Sequence, residues 1–171
     1  MKTFIENLFF YALVSCVILS LGCSYKLRNN LPDFLNQTIA ISIENNPLNL
    51  NFVNSLKKEN LFKKVIVNQN FEDADLSIKI LEHKITRFSA AIGAGARTRE
   101  ARLEYYLKIS INKKKQKEDQ ILEIRDSSVY SFDESRILAI EEIEERLKEN
   151  FFKNALNRIN FFLWKLPNED I

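Results

Sequence analysis

The sequence predicts an α+β fold: a two-layer sandwich of a mostly antiparallel or mixed four- to five-stranded sheet with two helices packed on one face. Three observations carry this. Arg102 to Asn112 alternates apolar and polar residues without a break. Asp133 to Leu166 repeats apolar residues at steps of three and four. The 171-residue chain has only three glycines and three prolines, so regular structure should dominate.

The elements follow in order. Thr38-Ile39-Ala40-Ile41-Ser42-Ile43 reads as a first strand, with Ile39, Ile41 and Ile43 on one face because strand side chains alternate. Glu44-Asn45-Asn46-Pro47 stops it and opens a helix. Asn46 suits the cap and Pro47 the first helical position. Leu48, Phe52, Val53 and Leu56 give that helix its apolar face.

Leu61 to Val67 reads as a short strand, Asn68-Gln69-Asn70 as a turn, and Asp75 to Phe88 as a longer strand. Leu76, Ile78 and Ile80 point one way, and the pattern slips at Leu81-Glu82, which predicts a bulge. His83, the single histidine, reads as a surface or edge residue.

In the Arg102–Asn112 strand, Leu103, Tyr105, Leu107, Ile109 and Ile111 face the core, and Arg102, Glu104, Tyr106, Lys108 and Ser110 face away. One buried and one polar face is the mark of an antiparallel sheet covered on one side. A charged hairpin turn over Asn112 to Gln120 leads to a strand from Ile121 to Phe132.

The long terminal helix opens near Ser131 and Glu134, a capping-box pair, or at Asp133. Its stripe is Ile140, Ile143, Leu147, Phe151, Ala155, Ile159, Phe162 and Leu166. Glu141, Glu142, Glu144 and Glu145 fall on the water side. Glu142–Arg146, Glu144–Lys148 and Glu149–Lys153 are spaced to pair.

The N-terminus is of a different kind. Residues 1–22 have a positive start at Lys2, an apolar middle from Leu8 to Leu21, and a small Gly22 before Cys23. This is a secretory signal that ends at a cysteine suited to lipid attachment, so residues 23–37 become a lipidated tether and 38–171 a single periplasmic domain. A retained transmembrane helix is the rival, but the apolar run is short for a bilayer core of about 30 Å. Leu13-Val14-Ser15-Cys16 is a second possible box. Cys23 is preferred because the apolar composition ends there.

Inventory narrows the function classes. The formal net charge is +2, which gives nucleic acid binding no global support. With Cys16 removed and Cys23 acylated, no thiol remains for a disulfide, a nucleophile or a metal. One histidine makes a zinc site or a Ser-His-Asp arrangement unfavourable. No nucleophile stands with a base, so the expectation is a protein that is not an enzyme and holds no cofactor or metal.

Cys23-Ser24-Tyr25-Lys26-Leu27-Arg28 resembles the mature start of the LptE family: Cys, a small residue, an aromatic, one variable residue, then Leu-Arg. Leu31-Pro32, Thr38-Ile39-Ala40-Ile41, Asp73-Ala74-Asp75-Leu76, Arg102-Leu103-Glu104-Tyr105-Tyr106-Leu107 and Phe132-Asp133 match further family segments in order. Ser24, where Gly is commoner, and the Ala/Gly content of the Ser89–Arg99 stretch depart from the pattern. The resemblance implies an outer-membrane lipoprotein that plugs the barrel of LptD and helps deliver lipopolysaccharide. The partners implied are an LptD-like β-barrel, lipopolysaccharide and the membrane through a lipid anchor.

Candidate contact residues fall in two clusters. Ser89 to Arg99 is rich in Ala and Gly and reads as a loop tip, with Arg97, Arg99 and Arg102 near its base. Arginine forks suit phosphates. A flexible hairpin loop with solubilising arginines is the plainer alternative. Lys113, Lys114 and Lys115, with Lys117, form the second cluster, either a solvated turn or a contact for sugar phosphates. The outward face of the sheet, at Arg102, Glu104, Tyr106 and Lys108, is the third candidate surface. A different role in the same compartment is a protein-binding regulator of a cell-envelope enzyme, such as a peptidoglycan synthase activator.

Overall fold

A computed structural model describes residues 36–69, 71–93, 98–114 and 118–166. The signal segment, Cys23 and the tether through residue 35 lie outside the described residues, as do Arg97, Lys115 and Lys117. Five strands form one mixed sheet in the order β2-β1-β3-β4-β5. They are β1 (Thr38–Ser42), β2 (Lys64–Val67), β3 (Leu76–Ile92), β4 (Thr98–Lys113) and β5 (Gln120–Ser131). Helix α1 (Pro47–Lys58) joins β1 to β2, and α2 (Ile137–Lys165) follows β5. The element order, the two helices and the sheet are those expected.

β1 pairs in parallel with both β2 and β3, because α1 and a short 3₁₀ turn (Phe71–Asp73) carry the chain back between them. β3, β4 and β5 form an antiparallel meander. Those three strands are long and β1 and β2 short, so the sheet has a five-stranded base and a three-stranded arm. At the base, Asp75 ties three segments together. Its carboxylate accepts from the Thr38 amide at 2.8 Å, its amide donates to the Thr38 carbonyl at 2.9 Å, and its carbonyl accepts from the Lys114 amide at 3.1 Å.

Local chemistry explains the joints. The Asn46 side chain caps α1 by accepting from the Asn49 amide at 2.8 Å, with Pro47 at the first helical position. Asn68 has φ of 54° and clamps the end of β1: its Oδ1 accepts from the Ile43 amide at 2.8 Å and its Nδ2 donates to the Ile43 carbonyl at 3.1 Å. Asn is among the few residues that tolerate this left-handed backbone. The slip expected at Leu81-Glu82 is a register shift between Ile80 and Glu82. The start of the last helix differs from the capping-box reading. Ser131 ends β5, and Asp133 instead caps a 3₁₀ turn (Glu134–Arg136) through the Ser135 amide at 3.0 Å.

The core lies between sheet and helices. Leu103, Tyr105, Leu107, Ile109 and Ile111 of β4 are all buried, as their alternation requires. On α2 the buried stripe is wider than one residue per turn: Phe152, Leu156 and Leu163 join Ile140, Phe151, Ala155 and Ile159. Ile143, Leu147, Phe162 and Leu166 pack at its margin. The outer edge of β5 is guarded where α2 crosses it. Arg158 donates to the Arg125 carbonyl at 2.9 Å, and Asn154 donates to Asp126 at 2.9 Å. Such devices discourage a further strand from adding there.

Two expectations fail. His83 is not a surface residue. After the bulge it turns inward, its ring packs edge-on to Phe52 and Tyr105, and its Nδ1 lies 2.7 Å from Asn49 Oδ1. Glu144 does not face water and does not pair with Lys148. It accepts from the Tyr130 hydroxyl and from Arg87 at 3.0 Å, while Lys148 pairs with Glu145 at 2.6 Å. The expected Glu142–Arg146 pair is present at 3.9 Å.

Candidate functional site: the open face of the sheet

Helices cover one face of the sheet and leave the other open along β3, β4 and β5. Register sets four rows of side chains across that face: Glu82–Lys108–Glu123, Lys84–Tyr106–Arg125, Thr86–Glu104–Ser127 and Phe88–Arg102–Val129. The first row is acid, base, acid. Lys108 donates to Glu123 at 2.9 Å, and Arg125 approaches the same carboxylate at 3.6 Å. The Lys108 hydrogen bond, before all other causes, holds the Glu123 carboxyl below the usual carboxylate range.

In the second row the Tyr106 ring is shared by two cations. Lys84 Nζ lies 5.0 Å and the Arg125 guanidinium 5.3 Å from its centroid. Lys84 also donates to Glu82 at 2.7 Å, and that bond raises its pKa above the ordinary lysine value. An open depression of about 650 Å³ is bounded by Glu82, Lys84, Thr86, Glu104, Tyr106 and Arg125. In the last row Arg102 pairs with Glu104 at 2.8 Å and lies 5.8 Å from the Phe88 ring. Phe88 and Val129 are exposed beside it, and Ile92 follows toward the tip. The surface is thus charged and aromatic in the middle and more apolar at the tip of the arm.

Of the cations expected from the sequence, the described ones, Arg99, Arg102, Lys113 and Lys114, do not gather in one site. Much of the supposed loop is strand: β3 runs to Ile92 and β4 begins at Thr98. Arg99 is the extra residue of a bulge in β4, since Ala91 pairs with Glu100 and Ile92 with Thr98, so the alternation that places Arg102 does not extend to it. Arg99 lies over Gly93, where its side chain leaves no room for a Cβ. Arg102 stands on the open face. Lys113 ends β4 at the base, and Lys114 follows in the turn. Eleven residue steps of strand separate Lys113 from Arg102, about 37 Å. The outward expectations for Arg102, Glu104, Tyr106 and Lys108 hold, and Ser110, in the same alternation, is buried and donates to Asp119 at 2.7 Å. Lys84, Arg125 and Glu123 join this face although no sequence motif marks them. Their alternation was there to read, but only the register shows that they meet Tyr106 and Lys108.

A second concavity, a groove of about 1030 Å³, runs between α1 and α2. Leu48, Ile85, Leu103 and Phe152 contribute its apolar part, and Arg87 and Glu144 cross it as an ion pair. Among the described residues no group of three His, Cys, Asp or Glu could hold a metal ion, and no helix is long and apolar enough to cross a membrane.

No family model and no curated protein matches the chain. Solved structures do. Rare lipoprotein B from Shewanella oneidensis superposes with a TM-score of 0.55 at 18% identity, over 74% of this chain and 92% of that one. An uncharacterized lipoprotein B from Nitrosomonas europaea gives 0.56 at 18% identity, over 73% of this chain and 80% of that one. The chain has the fold of these bacterial lipoproteins: a mixed five-stranded sheet with two helices on one face.

Proposed function

We propose that this protein is an outer-membrane lipoprotein of the lipopolysaccharide translocon. It is anchored through lipid on Cys23, sits within and stabilises an LptD-like barrel, and binds lipopolysaccharide during assembly. Its role is binding and assembly, with no reaction catalysed. The observation that carries this is the two-sided sheet. One face is sealed by helices, and the other is a long, open, charged and aromatic surface on an arm that outruns the base. The colinear resemblance from Cys23 through Phe132-Asp133, and the shared fold of two bacterial lipoproteins, support it.

Among the cations named from sequence, Arg102 is the best phosphate contact, because Lys84 and Arg125 stand on the same face. Arg97, Arg99 and Lys113 to Lys115 are secondary. One observation favours a second reading. Glu82, Glu104 and Glu123 interleave with the bases, and mixed charge suits a protein partner better than an anionic sugar. That partner would be a periplasmic enzyme, such as a peptidoglycan synthase.

Purification of the tagged chain in mild detergent, with identification of what accompanies it, separates the two. A large β-barrel supports the translocon reading. A synthase, or nothing, overturns it.

A further inference from the structure

The last turns of α2 carry an aromatic pair that the core does not use. Phe161 and Trp164 are 55% and 46% exposed, and their ring centroids lie 6.1 Å apart. Lys165 Nζ sits 4.5 Å from the Phe161 centroid. Positions 161, 164 and 165 are spaced to share one face of a helix, so this is a single patch rather than three separate exposures.

The topology places that patch toward the base of the sheet. Along α2, the contacts with the strands step from Glu144 on Tyr130, through Asn154 on Asp126, to Arg158 on the Arg125 carbonyl. The helix therefore runs toward the start of β5, and six further residues carry it about 9 Å beyond Arg158. The base is also where the chain enters, since Thr38 is bonded to Asp75 at the start of β3. Thirteen residue steps separate Cys23 from Asn36, a reach of at most about 47 Å. The 17 residues of β3 alone span about 55 Å. The chain thus enters the domain at its base, the end that a lipid on Cys23 keeps within reach of the bilayer.

We infer that Phe161, Trp164 and Lys165 form a second membrane contact that rests in the headgroup zone of the lipid leaflet. This inference builds on the lipid anchor proposed above. Trp and Phe with a flanking Lys have the chemistry of that zone: apolar bodies reach the acyl boundary while the indole N–H and the ammonium stay among polar headgroups. The contact fixes the direction of the domain, with its base at the membrane surface. Chain length alone limits how far the base can stand from the lipid and leaves its direction free.

Trp164 is the only tryptophan in the chain, so its fluorescence reports the contact directly. The lipid-modified full chain is reconstituted into phosphatidylethanolamine–phosphatidylglycerol vesicles that contain no barrel. The lipids carry bromine either near the headgroup or near the chain end. Expected are flotation with the vesicles, a blue-shifted Trp164 emission, and loss of emission with shallow bromine only. In the double variant F161S/K165E, flotation persists and the blue shift and shallow quenching are lost. Circular dichroism checks that the variant is folded. Flotation with water-like, unquenched emission overturns the inference and leaves the anchor standing. Equal quenching in the double variant also overturns it. Failure to float at all removes the anchor and the inference together.

Discussion

His83 makes stability depend on pH in a window that no other side chain type occupies. Its Nδ1–H donates to Asn49 Oδ1 at 2.7 Å, and Asn49 Nδ2 donates in turn to the Glu44 carbonyl at 3.0 Å. The other nitrogen, Nε2, is buried with no hydrogen-bond partner among the described residues. A second proton would have to enter there, among Phe52, Tyr105 and Phe152. Burial therefore lowers the pKa from the ordinary 6.5 to about 4. The folded chain keeps His83 neutral, while the unfolded chain protonates it near the ordinary value. Stability from this residue is thus complete above about pH 6.5 and is lost as pH falls toward about 4. At about 1.4 kcal/mol per pH unit the whole span is at most about 3.4 kcal/mol. Between about pH 7 and pH 5 it is about 2 kcal/mol, trimmed to between about 1 and 2 by solvent reaching the ring. Urea unfolding of the wild-type chain and of His83→Phe, followed across that window, measures it. The variant is less stable near pH 7, because Asn49 loses its partner, but it lacks the His83 part of the slope, so its deficit narrows as pH falls. Carboxylates held low, such as Asp119 and Asp133, titrate below the window and do not interfere. Equal slopes in the two proteins would refute the reasoning.

Other outcomes follow from single contacts. Tyr130→Phe removes the donor to Glu144 and should cost about 1–2 kcal/mol in denaturant midpoint analysis. Since burial and then Glu144 push the Tyr130 hydroxyl up to about 12, wild-type phenolate absorbance should appear later in alkaline titration than in a Glu144→Gln variant. Asn46→Ala should lose about 1 kcal/mol through the α1 cap. Ile109→Ala, at a fully buried position, should lose about 2–5 kcal/mol. Arg102→Ala should weaken lipopolysaccharide capture by the isolated domain more than Arg99→Ala, because Arg102 shares the open face with Lys84 and Arg125, whereas Arg99 packs over Gly93. Equal losses would move the site to the tip.

Strand β4 was legible because its period of two is unbroken and one of its faces is buried. The bulge was legible for the same reason, as a break in that period after Ile80. What lies just past the bulge was not. A one-residue slip exchanges the two faces, and a lone polar His83 gives no pattern from which to recover the sense. A stripe of one residue per turn is too narrow for α2, because a helix lying on a sheet buries an arc of 100° or more, which brings in Phe152, Leu156 and Leu163. Glu144 looked like one more surface acid, since its neighbours in sequence are acids. Its partners Arg87 and Tyr130 come from two strands distant in the chain. The open face was half visible. Tyr106 and Lys108 followed from alternation on β4, but the Lys84–Tyr106–Arg125 row depends on pairing between three strands, and register is a tertiary fact.

The mismatch between long and short strands has a kinetic side. At the base, β3 is flanked by β1 as well as β4, and Ile39, Ile41, Leu76, Ile78, Ile109 and Ile111 bury fully or nearly so. In the arm, beyond Glu82, β3 loses its inner neighbour, and its inward residues are only half-buried or exposed. Opening free energies scale with such local burial. Amide exchange should therefore be slowest in the β1–β3–β4 base and grow faster along the hairpin toward Ile92. The last rows of the hairpin, beyond Phe88 and Ala101, can fray and re-form while the base and the buried Leu103 and Tyr105 hold.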